Sequence, residues 1–386
     1  MIDRAFQNLR LPALSLGAMR LPVLDGDDSR IDETAAARLV DYAMTHGVNS
    51  FDTAWGYHGG NSEGVMGRLL AKYPREGFYL ADKFPGYDLG NMEKVEEIFE
   101  EQLRRCGVDY FDFYLFHNVS EVNIDAYLNK RYGIFAYLME QKGKGRIRHL
   151  GFSAHGGLKV LRRFLAAYGE HMEFCLLQLN YIDWTFQQGR EKVALLEEYG
   201  VPVMVMEPLR GGKLADIPAE YAPRLSAIRP DETAVGWAFR FTQSIPGAVT
   251  TLSGMSNFAQ LAENIRLHET EAPLGEAEWE TLVGIGEEMS RKNAVPCTGC
   301  KYCLNYCPQK LNIPELLTLY NEHQFSGGGF LAPMVLETVP EERHPGACTG
   351  CGSCEEVCPQ QLTISEAMAR FDELLHPDRK KGEGAE

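Results

Sequence analysis

Eight of the ten cysteines fall in the last quarter of the chain, in two runs of identical spacing. The first reads Cys297-Thr-Gly-Cys300-Lys-Tyr-Cys303-Leu-Asn-Tyr-Cys307-Pro and the second Cys348-Thr-Gly-Cys351-Gly-Ser-Cys354-Glu-Glu-Val-Cys358-Pro. In a C-x2-C-x2-C-x3-C-P run, three thiolates wrap one corner of a cubane iron–sulfur cluster. The fourth, turned away by its proline, reaches a second cluster. On that logic Cys297, Cys300, Cys303 and Cys358 hold one [4Fe–4S] cluster, and Cys348, Cys351, Cys354 and Cys307 hold the other. Zinc needs four ligands and no third closely spaced cysteine, so two such runs argue against it.

The other two cysteines, Cys106 and Cys175, sit in apolar stretches and read as buried structural residues. Clustered thiols of this kind point to a cofactor in a reducing compartment rather than to disulfides. The start of the chain shows no secretory signal, and no apolar run approaches the length needed to cross a bilayer, so a cytoplasmic location is expected. The formal net charge of −16 repels phosphate backbones and anionic lipid, which excludes nucleic acid and membrane as natural partners.

The first 290 residues alternate short strand-like runs with longer amphipathic ones. Strands are predicted at 14–19, 50–54, 78–84, 111–117, 148–154, 174–180, 201–208 and 249–255. Helices are predicted at 33–46, 62–73, 92–106, 159–168, 189–199, 231–242 and 257–268. Gly47, Gly107, Gly145 and Gly200 fall just before strands, where a helix needs a left-handed stop. Strand-then-helix repeated about eight times over about 270 residues suits an α/β fold of the (β/α)8, or TIM, barrel type. An open doubly wound sheet would place a G-x-G-x-x-G turn after the first strand, and Leu16-Gly-Ala-Met-Arg20 does not supply one.

The chain therefore divides into a barrel over 1–290, a two-cluster domain over 291–376 and a lysine- and glycine-rich tail over 377–386. In the cluster domain, Ile313, Leu316, Leu317 and Tyr320 recur at helical spacing after the first run. Residues 364–375 read as a closing amphipathic helix, and the Ser-Gly-Gly-Gly-Phe stretch at 326–330 as a break.

Barrel chemistry sits at the C-terminal ends of the strands. There this chain places Asp52, Lys83 and His117, with Tyr57 in the loop after Asp52. These four suit hydride transfer to a carbonyl, which needs a proton donor and stabilisation of the developing oxyanion. A phenol has a pKa of about 10. An ammonium on Lys83, oriented by Asp52, is expected to lower that of Tyr57. Taken singly, Asp52 is a loop cap, Tyr57 a rim aromatic, Lys83 a solvated charge and His117 a satisfied polar group. Together, at successive strand ends, they form a constellation.

The segments Phe51-Asp-Thr-Ala-Trp-Gly-Tyr57, Ala81-Asp-Lys-Phe84 and Tyr114-Leu-Phe-His117 resemble the aldo/keto reductase family, and the resemblance covers most of residues 10–270. It implies Tyr57 as general acid, Lys83 and Asp52 as its tuners and His117 as the orienting residue. Gly151-Phe-Ser-Ala-His155 resembles the family's next strand, which implies Ser153 beside a nicotinamide carboxamide, with Ala154 in place of the usual Asn. Gln178 is implied on the same carboxamide. The stretch Met206 to Leu214, with Pro208, Leu209 and Gly211, resembles the loop along the pyrophosphate. Ser253, Gly254, Ser256, Gln260, Glu263 and Asn264 resemble the segment around the adenosine, although they also read simply as an N-cap and helix start. Where many members place Lys or Arg for the 2′-phosphate, this chain has Gly254 and Gln260, so NADP and NAD both stay open. The cysteine domain resembles the helical type of two-cluster ferredoxin.

Nicotinamide passes two electrons as hydride and each cluster passes one, so a direct exchange calls for a flavin or a substrate radical to split the pair. Three readings follow. In the first, an NAD(P)-dependent oxidoreductase acts on a small carbonyl or alcohol, and its clusters exchange electrons with a redox partner protein or with the substrate. In the second, an ordinary reductase uses its clusters as staples. In the third, the chain is an electron-transfer or redox-sensing module whose barrel only binds. Trp55, Tyr87 and Trp184 are candidate pocket walls.

Overall fold

A computed structural model describes residues 1–292 and 294–377. It divides into two compact units, one from Met1 to Ile285 and the other from Gly286 onward. Apart from its first residue, the tail expected over 377–386 lies outside the described residues.

The first unit opens with an antiparallel hairpin of β1 (Asp3–Phe6) and β2 (Leu9–Pro12). Eight parallel strands then follow: β3 (Leu14–Gly17), β4 (Ser50–Asp52), β5 (Tyr79–Phe84), β6 (Phe111–Val119), β7 (Ile147–Ala154), β8 (Cys175–Gln178), β9 (Val203–Met206) and β10 (Ala248–Gly254). They pair in chain order and close β10 onto β3, giving an eight-stranded barrel. All eight fall within, or within one or two residues of, the segments read from periodicity. The helices follow too, with shifts at their ends. The helix expected from 62 stops at Leu70, and the one expected from 92 begins at Val95. Helices Ala234–Gln243 and Phe258–Leu267 start where Thr233 and Asn257 cap them through their side chains. Gly47, Gly107, Gly145 and Gly200 all take left-handed φ. At Gly107 this ends helix Val95–Cys106 and returns the chain to β6.

Periodicity did not mark the hairpin or helices Ile134–Gly143 and Glu276–Arg291. The hairpin lays Phe6 and Leu11 against Phe113, Leu115, Phe174, Leu176, Met204 and Val249, near the N-terminal ends of the strands. Phe6 meets Phe113 and Phe174 edge-on or tilted, with ring centroids 5.7 and 6.3 Å away. It thus closes the end of the barrel opposite the strand termini that carry the polar constellation.

The second unit is helical around its own apolar core of Leu311, Ile313, Leu316, Leu317, Met368 and Phe371. Its principal helices are Ile313–Ser326, Leu331–Leu336 and Ile364–Leu375. The two cysteine runs repeat one backbone course. Gly299 and Gly350 take φ 68° and 67°, Lys301 and Gly352 take 66° and 74°, and Lys310 and Gln361 take 54° and 51°. Among the described residues no helix is long and apolar enough to cross a membrane.

Phe6→Ala empties the plug of the barrel floor. It is expected to cost about 3 kcal/mol of barrel stability, seen as a lower midpoint in urea denaturation followed by far-ultraviolet circular dichroism.

Candidate active site and cluster site

Parallel pairing sets Asp52 opposite Ala81, and Lys83 lies two residues further along β5 on the same face. Its ammonium donates to Asp52 Oδ1 at 2.5 Å, to the carbonyl oxygen of Thr53 at 2.7 Å and to the hydroxyl of Tyr57 at 3.3 Å. Three N–H groups meet three acceptors, so the buried ammonium is saturated. Tyr57 accepts from Lys83, which leaves its own O–H to point elsewhere. Burial alone would depress the pKa of Lys83, but the Asp52 carboxylate and the Tyr57 phenol outweigh it and hold Lys83 above its ordinary value.

Tyr57 does not follow expectation. Burial raises its pKa first, Lys83 opposes, Asp52 adds to the rise, and the net direction is upward. The ammonium is a counterweight to desolvation, and the phenol stays protonated at neutral pH. Periodicity carries no information on how deeply a loop phenol is desolvated.

The loop that presents Tyr57 is pinned by His58, which the sequence reading passed over. His58 is buried; its Nε2 accepts from Leu21 N–H at 3.2 Å and its Nδ1 meets the Asp28 carbonyl at 2.7 Å. Across the mouth, the β6–β7 pairing shifts register between Phe116 and Val119, and Asn118 takes φ 57°. Such an irregularity re-aims side chains at a strand end. His117 lies there, its ring 6.1 Å from that of Tyr57 at 79°. Burial first, then the charges of Lys83 and His155, keep its pKa well below the imidazole value, so the ring is neutral. Its Nδ1 has no hydrogen-bond partner among the described residues.

Of the three aromatics considered as pocket walls, Tyr87 meets the ring of His117 directly. Its ring meets His117 edge-on at 5.2 Å, and its hydroxyl lies 2.4 Å from where a Cβ on residue 56 would sit, so Gly56 gives it room in this position. Trp55 is instead stacked under Arg105, 3.9 Å from ring centroid to guanidinium carbon. Trp184 packs edge-on against Phe241 and Trp279.

The residues proposed to face a dinucleotide mostly have internal partners. Ser153 Oγ accepts from Asn118 N–H at 2.7 Å, and Gln178 donates to Asp183 at 2.8 Å. Ser256 donates to the Arg20 carbonyl, Gln260 accepts from Ser256 N–H, and Glu263 accepts from Thr233. Asn264 donates to Ser253 Oγ at 3.3 Å. Gln260 thus completes the cap of helix Phe258–Leu267 begun by Asn257. Pro208 is buried, Leu209 is half-buried, and Gly211 takes φ 67°. The side chain of Arg20 covers Gly254, its Cβ, Cγ and Cδ 3.1–3.2 Å from where a Cβ would sit.

In the second unit, Cys307, Cys348, Cys351 and Cys354 line one pocket with Leu311, Ile313, Ile364 and Met368. Around Cys303 the neighbouring thiols are Cys297, Cys300 and Cys358; burial first, then these thiols, raise its pKa. These are the two sets of four that the run spacing implies. All ten cysteines are unpaired, and Cys106 and Cys175 are buried. Among the described residues no three His, Cys, Asp or Glu side chains close on a point that a single metal ion would fill. A cubane spreads its thiolates more widely than zinc, with its bonds of about 2.3 Å, so the donor set fits clusters.

Comparison with known proteins follows these geometries. The aldo/keto reductase family profile matches residues 13–287, and a 4Fe-4S dicluster domain matches residues 296–364. The chain is 28% identical over 237 residues to the NADH-specific methylglyoxal reductase of Escherichia coli, covering 56% of this chain and 69% of that protein. It is 24% identical over 275 residues to L-galactose dehydrogenase of Arabidopsis thaliana, covering 67% and 84%. Among solved structures, an aldo-keto reductase of Bacillus halodurans superposes with a TM-score of 0.61 at 24% identity, covering 74% of this chain and 96% of that one. A barrel closed from eight parallel strands and a profile match across most of the chain agree: this protein belongs to the aldo/keto reductase family and is an oxidoreductase that carries a C-terminal 4Fe-4S domain.

Proposed function

We propose that this chain reduces small carbonyl compounds with NADH or NADPH, Tyr57 serving as the acid, and that its cysteine runs hold two [4Fe–4S] clusters which exchange electrons with a redox partner. The observation that carries the first part is the saturated Lys83 ammonium, which accepts no further load and leaves the Tyr57 proton available. Bound nicotinamide would supply hydride. As negative charge grows on the substrate oxygen, Tyr57 gives up its proton to it, and Lys83, already in contact with the phenolic oxygen, stabilises the phenolate left behind. The pKa-raising burial of Tyr57 suits reduction, since it keeps the proton in place until an acceptor arrives. Neutral His117 donates a hydrogen bond to the same oxygen, and Tyr87 bounds the space above the ring.

Ser153, Gln178, Pro208, Leu209, Gly211, Ser253, Gly254, Ser256, Gln260, Glu263 and Asn264 are the residues proposed along the dinucleotide. Gly254 and Gln260 carry no cation themselves, while the side chain of Arg20 lies over Gly254, so NADH and NADPH are both candidates. The E. coli relative, an NADH-specific methylglyoxal reductase by name, supports both a small carbonyl and NADH.

For the clusters, the electron count supports the reading: each passes one electron, so a pair matches the two of a hydride. The ligand thiols of Cys303 and Cys354 lie within the unit's apolar core, which ties the clusters to its packing.

Tyr57→Phe is expected to lower kcat/KM for methylglyoxal by about a hundredfold or more, with nicotinamide affinity by fluorescence titration within about twofold of wild type. Retained activity in Tyr57→Phe, or wild-type protein that binds no nicotinamide, would sink the reductase reading. Cys307→Ala and Cys354→Ala should each remove the same paramagnetic cluster signal and about half of about eight irons. Cys303→Ala and Cys358→Ala should remove the other. If Cys307→Ala instead matched Cys303→Ala, the crossed ligation would be wrong.

A further inference from the structure

One residue before Lys83, and so on the opposite face of β5, a second cluster of ionisable groups lies between the barrel and its helices. Asp82 and Glu63 are both 0% exposed. Between them, Gln102 Nε2 stands 2.9 Å from Asp82 Oδ1, 3.0 Å from Glu63 Oε1 and 3.0 Å from the carbonyl oxygen of Lys83. Its own Oε1 accepts from the Tyr114 hydroxyl at 2.5 Å. An amide nitrogen has two hydrogens, and here it faces three acceptors.

The charges do not balance either. Glu63 Oε2 is paired with Arg105 at 2.9 Å. Asp52 is paired with Lys83, whose three N–H groups are all in use. Among the described residues, Asp82 has no cation of its own. Its partners are the Lys83 backbone N–H at 2.8 Å, the Gln102 amide and the Cys106 thiol at 3.8 Å. Three buried carboxyls thus share two cations. An unpaired buried carboxylate is far costlier than a neutral acid.

The same contacts hold Lys83. Its backbone N–H donates to Asp82 and its carbonyl accepts from Gln102, so both main-chain polar groups of this residue end on side chains of the buried cluster.

We propose that Asp82 is a positioning residue that works as a neutral carboxylic acid, its proton shared toward Glu63, and that with Gln102 it clamps the backbone of Lys83. A carboxylate in the same place would leave a third negative charge beside the Asp52–Lys83 pair and compete for its ammonium. The groups facing Asp82 come from five elements: Glu63 on helix Ser62–Leu70; Gln102, Arg105 and Cys106 on helix Val95–Cys106; Tyr114 on β6; and, on the far side, Lys83 on β5 itself with Asp52 on β4. Burial first and the charge of Glu63 second push the Asp82 carboxyl well above the ordinary range, while the Lys83 N–H and ammonium oppose. Burial also raises Glu63, against Gln102 and Arg105. The role in catalysis rests on the reductase reading; the protonation state does not.

Folded protein keeps a proton that the unfolded chain releases above the ordinary carboxylate range. Wild-type stability therefore falls as pH rises from that range through the raised pKa of Asp82. Asp82→Asn is neutral at every pH and can donate the same hydrogen bond. The melting temperature of Asp82→Asn relative to wild type is expected to climb from about pH 5 to about pH 8, and a difference independent of pH would overturn the proposal. Infrared spectra of full-length wild type labelled with 13C-carboxyl aspartate test it without a variant. An isotope-shifted protonated-carboxyl band at neutral pH is expected, and its absence refutes the neutral acid. Both readouts are independent of carbonyl reduction, so a chain that reduces no carbonyl would fail the proposed function without deciding this point. For the clamp, Asp82→Ala should lower kcat for methylglyoxal about tenfold with KM unchanged, and Asp82→Asn should restore it. Equal kcat in all three proteins would remove the positioning role.

Discussion

The buried ion pair of Lys83 and Asp52 is the interaction on which the rest of the barrel mouth depends. Each ion taken out of water costs several kcal/mol, and a pair repays that only when geometry is good and the remaining donors are satisfied. Here the third residue of a three-residue strand meets an ammonium from the neighbouring strand at 2.5 Å. The other two ammonium hydrogens end on a backbone carbonyl and a phenol. The pair tolerates little movement, and the surroundings reflect this. His58 ties down the loop bearing Tyr57, and Gly56 admits the hydroxyl of Tyr87.

Much of this architecture was legible because its signals are local. A strand buried on both faces is a short β-branched or aromatic run, and the glycines before strands mark left-handed helix ends. The tetrad stood out because parallel strands put all their C-terminal ends on one rim, so residues far apart in sequence could be assigned to one place by position alone. The hairpin escaped notice because its two strands have four residues each, and its function, plugging the barrel floor, exists only after the barrel closes. The packing partners of Trp55 and Trp184 were not legible for a related reason, since Arg105 and Trp279 are tens of residues away. The sign of the Tyr57 shift was missed because proximity of a cation can be inferred from strand order, whereas depth of burial cannot.

The rim expected to face a dinucleotide shows how one sequence pattern serves two demands. Asn257 and Gln260 cap a helix, and Asn264 reaches back to Ser253 from within that helix. Those contacts are reasons for these residues to stand where they do before any ligand is considered. What the helix start leaves for an anion is backbone N–H rather than side-chain charge. Beside it, the stem of Arg20 lies over Gly254, so a cationic side chain stands next to the position where Gly254 offers none.

The cysteine unit poses the opposite problem, since its ligands were plain in the sequence and its purpose was not. Spacing dictates which thiols converge because each run takes the same succession of left-handed turns, at Gly299 and Lys301 in one and at Gly350 and Gly352 in the other. A cluster used only as a staple would substitute for an apolar core. This unit combines the two, since Leu316, Leu317, Met368 and Phe371 on its two longest helices pack in one core with Cys303 and Cys354. Hydride chemistry moves electrons in pairs and a cubane moves them singly, so two clusters side by side can take up a pair where one cannot. That match between electron count and cluster count is what favours the proposed redox role of the appended domain over scaffolding.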